Sequence, residues 1–275
     1  MLKNLTLGQY YPVDSWVHRL DPRVKILLTI ALIVAVFLVH SLVGYALILA
    51  FMYLVSRLAH VPFKLLLKGL KPLRFILILT FILNVFFTAS AEETPLLKLG
   101  FIEIRESGLR QAVHFSLRLI FLVISTSLMT LTTSPIQLSD GMELLLSPLK
   151  VLHFPAHELA MMMSIALRFI PSLLEETDKI MMAQMARGAD FESGNLIARA
   201  KAMVPLLVPL FVSSFRRAGD LAMAMEARCY HGGEGRTRLR VLKLTIDDLQ
   251  AALWVLVLIL LICAEPSLLP KAWLL

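Results

Sequence analysis

The sequence predicts an all-α integral membrane protein, and three observations carry that prediction. Of the 275 residues, 58% are hydrophobic and only 17% are charged, against about 45–50% and about 25% in an average soluble domain. The mean hydropathy is +0.76. Apolar runs of membrane-crossing length also recur, separated by short segments of distinct charge. The expected architecture is about five transmembrane helices plus a cytoplasmic helical module. Residues 1–133 would form an N-terminal membrane domain of four spans, 134–247 the cytoplasmic module, and 248–275 the last span and its tail.

A helix needs about 20 apolar residues to cross a bilayer. From Val24 to Val55 the chain is almost continuously apolar, interrupted by Lys25 at its start, by Thr29, and by His40-Ser41 and Gly44. As one helix that run would reach about 48 Å, beyond a hydrocarbon core of about 30 Å. Charge argues for a hairpin of two short spans instead. Arg19 and Arg23 precede the run and Lys25 lies at its very start, while Arg57, Lys64, Lys68, Lys71 and Arg74 follow it, and Lys and Arg stay on the cytoplasmic side. Asp21-Pro22 suits a helix start, with Asp as cap and Pro in the first turn. The next span, about Leu73 to Ala89, leads out. The loop AEETPLLKLGFIEIRESG sets four acids against Lys98 and Arg105, which fits the outer face. Gly108 to about Thr133 returns, and Leu249 to Ala264 makes the final crossing. The N-terminus is expected inside and the C-terminus outside, in a multi-pass protein of the cell membrane. The N-terminal segment MLKNLTLGQYYPVDSWVHRLDPRVK has no apolar core or small-residue cleavage site, so it does not read as a signal peptide.

The net charge of +7 therefore speaks of orientation rather than of nucleic acid, for which no recognition helix or zinc-finger spacing is present. Lys64, Lys68 and Lys71 line one side of VPFKLLLKGLKP opposite leucines, an interfacial helix that meets the anionic lipid bilayer.

Between the fourth and fifth spans the chain is apolar yet ill suited to crossing. Glu175, Glu176, Asp178 and Lys179 follow HELAMMMSIALRFIPSLL, and each would cost about 2.5–3.5 kcal/mol at the bilayer centre. The run MVPLLVPLFVSSF is short and contains Pro205 and Pro209, which reads as a re-entrant or interfacial segment. Methionines such as Met161–Met163, Met181, Met182 and Met185 crowd this region. They serve either as ordinary core filling or as a surface that repacks against several partners.

Two helix ends in this module resemble each other. The first is expected to start after Pro171 and to end at Arg187, with Gly188 in the left-handed cap position. The second starts after Pro209 and ends near Arg228. Aligned on Arg, both read Met-Ala-x-x-Ala-Arg: Met182, Ala183, Ala186, Arg187 against Met223, Ala224, Ala227, Arg228. An Arg in a last turn complements the helix dipole by about 0.3–1 kcal/mol. Its five fixed donors on a long stem would also plug a groove on another protein.

With DPRVK before the first span, ARGADF, and AMEARCYHGGEGRTRL before the last, nearly the whole chain resembles the transmembrane T component (EcfT/CbiQ-like) of energy-coupling-factor ABC transporters of prokaryotes. The resemblance implies that the middle module consists of crossed amphipathic coupling helices. It further implies that Ala186-Arg187-Gly188 and Ala227-Arg228-Cys229 each insert into one of two ABC-type ATPase subunits. A separate substrate-binding membrane subunit, the S component, would select the vitamin or other micronutrient. Neither Arg would be catalytic, and no cofactor or metal is implied for this subunit. Cys229 departs from the family's glycine. Because a Cys does not enter the left-handed region cheaply, the second end is expected to cap differently.

Other features have blander readings. HGGEGR, residues 231–236, lacks the Gly-Lys-Ser/Thr of a phosphate-binding loop. His153, His157 and Glu158 do not form HExxH, and Cys229 and Cys263 do not suggest a metal or disulfide framework. Arg110, His114 and Arg118 share a helix face, through structural pairing or through contact with substrate or a partner. An integral-membrane enzyme acting on lipid or isoprenoid would want more than the weak pair Asp140 and Glu143. A self-sufficient secondary transporter would want ionisable midplane sites and repeats, towards which only Arg118 leans.

Overall fold

The computed structural model describes residues 10–39, 41–87, 97–99, 102–104, 106–148, 155–191, 195–232 and 242–268. These form α1 (Trp16–Arg19), α2 (Pro22–Leu38), α3 (Leu42–Leu58), α4 (Phe63–Lys68) and α5 (Arg74–Phe87). A two-stranded antiparallel hairpin follows, β1 (Leu97–Leu99) with β2 (Ile102–Ile104). Then come α6 (Glu106–Thr132), α7 (Pro135–Leu146), α8 (Ala156–Ala186), α9 (Leu196–Ala227) and α10 (Ile246–Leu268). The protein is thus an all-α membrane protein carrying one small β-hairpin in the acidic loop. The chain divides into two compact units, one comprising Gly8–Gly141 and Leu242–Leu275, the other built on Met142–Val241.

In the first unit the apolar run from Val24 to Val55 is broken, as its length requires. Val39 leaves helical geometry at φ −73 and ψ 130. Ser41 then caps α3, its hydroxyl accepting from the Gly44 amide at 3.1 Å. His40 lies outside the described residues. Asp21 caps α2 through the Arg23 amide at 2.9 Å, with Pro22 at the first helical position.

Pairings across the sequence fix the directions of the helices. At one end Lys25 Nζ donates to the carbonyl of Thr132, and the Asp21 amide donates to Asp248. At the other end Ser41 bonds Glu265, and Arg118 reaches the Val39 carbonyl. Hence α2 and α10 run one way and α6 the other. The phenol of Tyr45, early in α3, meets His114, early in α6, so α3 and α6 run the same way and α2–α3 is a hairpin. Val36, Ile48, Met52 and Ile124 are fully buried where these helices meet.

Among the described residues, three helices are long and apolar enough to cross a membrane: Glu106–Thr132, Ala156–Ala186 and Ile246–Glu265. α3 and α5 are apolar but shorter, at 17 and 14 residues, or about 26 and about 21 Å at the helical rise. The appearance of α8 among the three differs from its reading as a non-crossing segment. The acids Glu175, Glu176 and Asp178 fall in its C-terminal half, so its apolar character lies mainly in the N-terminal half.

The second unit corrects the expected helix starts. Pro171 lies inside the 31-residue α8, and Pro205 and Pro209 lie inside the 32-residue α9. MVPLLVPLFVSSF is therefore neither re-entrant nor separate; it is the middle of a continuous helix. Each Pro removes one N–H from the helical ladder, leaving the carbonyls of Leu167, Lys201 and Pro205 without their usual donor. The defect is local, and the helix on both sides outweighs it; apolar helices of membrane proteins carry such residues more often than soluble ones.

Candidate functional site

The two helix ends singled out in the sequence close with the same hydrogen bonds. At the end of α8 the Gly188 amide donates to Met185 O at 2.9 Å and the Ala189 amide to Gln184 O at 3.0 Å. At the end of α9 the Cys229 amide donates to Glu226 O at 2.8 Å and the Tyr230 amide to Met225 O at 3.1 Å. This nested pair of bonds is the Schellman arrangement, which satisfies carbonyls that the last helical turn leaves open. Arg187 and Arg228 hold equivalent cap positions, at φ −89, ψ 5 and φ −94, ψ 15.

The expectation that Cys229 caps differently is overturned. Cys229 sits at φ 56, in the left-handed region that Gly188 occupies at φ 88. The two cap bonds stabilise a conformation that costs a non-glycine residue about 1–2 kcal/mol. The departure from glycine alters the strain and leaves the geometry alone.

Ala186, Arg187 and Gly188 are all exposed, as are Ala227, Arg228 and Cys229. Neither arginine has a side-chain partner among the described residues. A Cβ built on Gly188 would meet nothing within 4 Å. Each end is therefore a guanidinium on a preorganised turn, flanked by alanines too small to obstruct approach. A planar fork of five donors suits carboxylates and carbonyls on another protein surface.

α8 and α9 are fastened to each other well back from their tips. Arg217 on α9 donates to the Ser172 hydroxyl and to the Glu176 carboxylate on α8. From Ser172 to Arg187 the helix runs about 22 Å, and from Arg217 to Arg228 about 16 Å. The pin and the two tips thus form a pair of arms. Sequence reasoning took Glu176 only as a charge that opposes membrane crossing and gave Arg217 no role. Acids on one helix and the Arg216-Arg217 pair on the next were the available signal.

The other candidates find structural partners. Arg110 pairs with Glu106 at 3.0 Å one turn away. Arg118 has the rings of Phe37 and Phe115 each 5.8 Å from its guanidinium carbon. His157 bonds Glu143 at 2.9 Å. His153 lies outside the described residues, as do residues 233–236 of the HGGEGR loop. Among the described residues no group of three His, Cys, Asp or Glu could hold a metal, and Cys229 and Cys263 are free.

Comparison with known proteins matches residues 14–239 to the family CbiQ, described as cobalt transport protein. The energy-coupling factor transporter transmembrane protein EcfT of Clostridium kluyveri is 54% identical over 273 residues, covering 99% of both chains. The protein of that name from Thermosediminibacter oceani is 54% identical over 250 residues, covering 91% of this chain and 93% of its own. The one from Bacillus subtilis is 52% identical over 259 residues, covering 94% and 97%. The matched span takes in both capped ends and their Arg217 pin, and the chain belongs to the CbiQ family, among the transmembrane proteins of energy-coupling factor transporters.

Proposed function

We propose that this chain is the coupling scaffold of an ATP-driven importer, in which Arg187 and Arg228 each dock into one of two ABC-type ATPase subunits. Residues 1–133 and 248–275 serve as the membrane part that holds a substrate-binding membrane subunit, and residues 134–247 as the coupling module. The reading rests chiefly on one observation: two exposed arginines held by the same cap at the ends of two mutually fastened helices. A single Arg at a helix end needs no explanation beyond the dipole. Two with matching backbone, small flanking residues and no partner within the described residues suit a pair of equivalent sockets.

The mechanism is mechanical. When the ATPase pair closes on ATP, the sockets approach and carry the helix ends with them. The arms between the tips and the Arg217 pin convert that displacement into rotation of α8 against α9, which the substrate-binding subunit feels. On this reading the chain itself performs no catalysis. The N-terminus and coupling module face the cytoplasm, since Arg57, Lys64, Lys68, Lys71 and Arg74 share one end of the spans with the start of α2. The cargo is a vitamin or other micronutrient chosen by the substrate-binding subunit.

Replacing both tips, Arg187→Glu with Arg228→Glu, is expected to abolish co-purification of the ATPase subunits while the chain still inserts in the membrane. Retained ATPase binding by the double variant would defeat the assignment.

A further inference from the structure

A cavity of about 440 Å³ opens in the spanning unit between α1, α2, α3, α6 and α10. Its volume falls in the range of small-ligand sites, about 300–1,000 Å³. Trp16, Leu28, Val55, Leu128, Ala251 and Trp254 are among its lining residues. Its few polar groups are engaged or peripheral. Lys25 lines it, but its ammonium is held by the carbonyls of His18 and Thr132, each at 3.0 Å. Thr29 lines it too, with its hydroxyl on Lys25 O at 2.7 Å. The coupling mechanism uses none of these residues.

We infer that this cavity holds one acyl chain of an anionic bilayer phospholipid, with the headgroup at Arg57. Three observations point to that occupant. The rim is continuous with surface that a membrane protein presents to lipid: Leu54 is 49% exposed, Leu58 44% and Trp254 59%. Two of the three tryptophans of the chain line the cavity, and Trp favours the level of the headgroups. The cavity also sits at the basic end of the helices. There Arg57 is exposed and donates only to the phenol of Tyr53, at 3.0 and 2.7 Å, without an acid among the described residues. Arg19 at the same end is already paired with Asp14 at 2.9 Å, and Lys64 and Lys68 on α4, the helix that follows α3, are exposed. Arg57 adjoins the cavity-lining residue Leu58 in α3, and an apolar slot open to the bilayer with an unneutralised guanidinium on the residue next to its rim suits a phosphate joined to a hydrocarbon tail.

The test uses the full chain with Trp254→Phe and Trp273→Phe, leaving Trp16 as sole tryptophan. It is reconstituted in phosphatidylcholine vesicles containing acyl-brominated phosphatidylglycerol or acyl-brominated phosphatidylcholine. Bromine within the cavity is expected to quench Trp16, more strongly from the anionic lipid. Ala251→Phe, which fills the cavity, is expected to remove the quenching, and Val55→Phe provides a second filling variant should the first fail to fold. Arg57→Gln should leave quenching in place and erase the preference for phosphatidylglycerol. Unquenched Trp16, or quenching unchanged in a folded cavity-filled variant, overturns the site. Equal quenching by both lipids overturns the anionic assignment. Disulfide cross-linking of two chains through Leu54→Cys, with Trp16 shielded, would make the occupant a second copy and likewise overturn it.

Discussion

Gly188 and Cys229 stand at the same position of two matching helix caps, yet only one of them is built for it. Both have positive φ, 88 and 56, and both donate to the carbonyl three residues back, at 2.9 and 2.8 Å. Only Cys229 carries a Cβ, so the α9 tip is held against a conformational preference that the α8 tip lacks. Cys229→Gly should relieve about 1–2 kcal/mol of strain, less the greater freedom of Gly in the unfolded chain. A net gain of about 0.5–1 kcal/mol would slow exchange of the Tyr230 amide by about two- to fivefold. Hydrogen exchange read at Tyr230 and, as control, at Ala189 checks this. Faster exchange at Tyr230 would show that the Cys side chain supports the cap.

The Arg217 pin should be measurable as an energetic coupling. Its side chain and that of Glu176 are 35% and 22% exposed, so solvent screens the pair, and about 1 kcal/mol is a fair expectation. A double-mutant cycle with Arg217→Ala and Glu176→Ala, read by thermal unfolding in detergent, should give an interaction of that size. Additive single effects would mean that packing alone aligns α8 and α9, and the arms would lose their pin.

The repeated Ala-Arg ends and the break near residue 40 were legible in the sequence because each follows from a local rule: a repeated motif, or a span too long for the bilayer. The helix starts were not. Pro171 and Pro209 read as boundaries, and Pro205 as a break inside a short segment, because a missing N–H is a local cost, whereas continuity through them is decided by the helix on either side. Nor could the sequence show that Asp21 and Asp248 meet. The Asp248 carboxylate accepts from the Asp21 amide at 2.7 Å and from the Thr245 amide at 2.8 Å, a junction that only the parallel course of α2 and α10 creates. The left-handed Cys229 was missed for a third reason: intrinsic preference argued against it, and cap bonding outweighed the preference.

His18, just before the first span, gives a pH-dependent contribution whose sign can be worked out. Burial and the nearby Lys25 charge lower its pKa, while bonds to backbone carbonyls and the more distant Asp14 oppose them. Its partners fit the neutral ring, with Nε2 donating to Tyr11 O at 3.1 Å and Nδ1 accepting from the Ser15 hydroxyl at 2.7 Å. A folded pKa below the unfolded value of about 6.5 means that the unfolded chain binds the extra proton first. The contribution is therefore whole above about pH 6.5 and is lost as pH falls through the folded value. The melting midpoint in detergent should drop between pH 8 and pH 5, and His18→Gln should flatten that slope. An unchanged slope would place the pH sensitivity on other groups.

Two glycines separate close packing from open helix. A Cβ on Gly141 would lie 2.9 Å from Pro22 Cβ, 3.3 Å from Pro22 C and 3.4 Å from Arg23 N. Those neighbours are the backbone and ring of the α2 start, fixed by the Asp21 cap and by the Asp248 carboxylate, and they cannot swing aside as a long side chain could. Gly141→Ala should therefore cost about 1–3 kcal/mol. Gly219, inside α9, would place a Cβ within 4 Å of nothing, so Gly219→Ala should gain about 0.5–1 kcal/mol from helix propensity alone. Melting midpoints of the two variants should move in opposite directions. A destabilised Gly219→Ala chain would mean that α9 needs flexibility there, and a neutral Gly141→Ala would mean that α7 can lift from the start of α2 without loss.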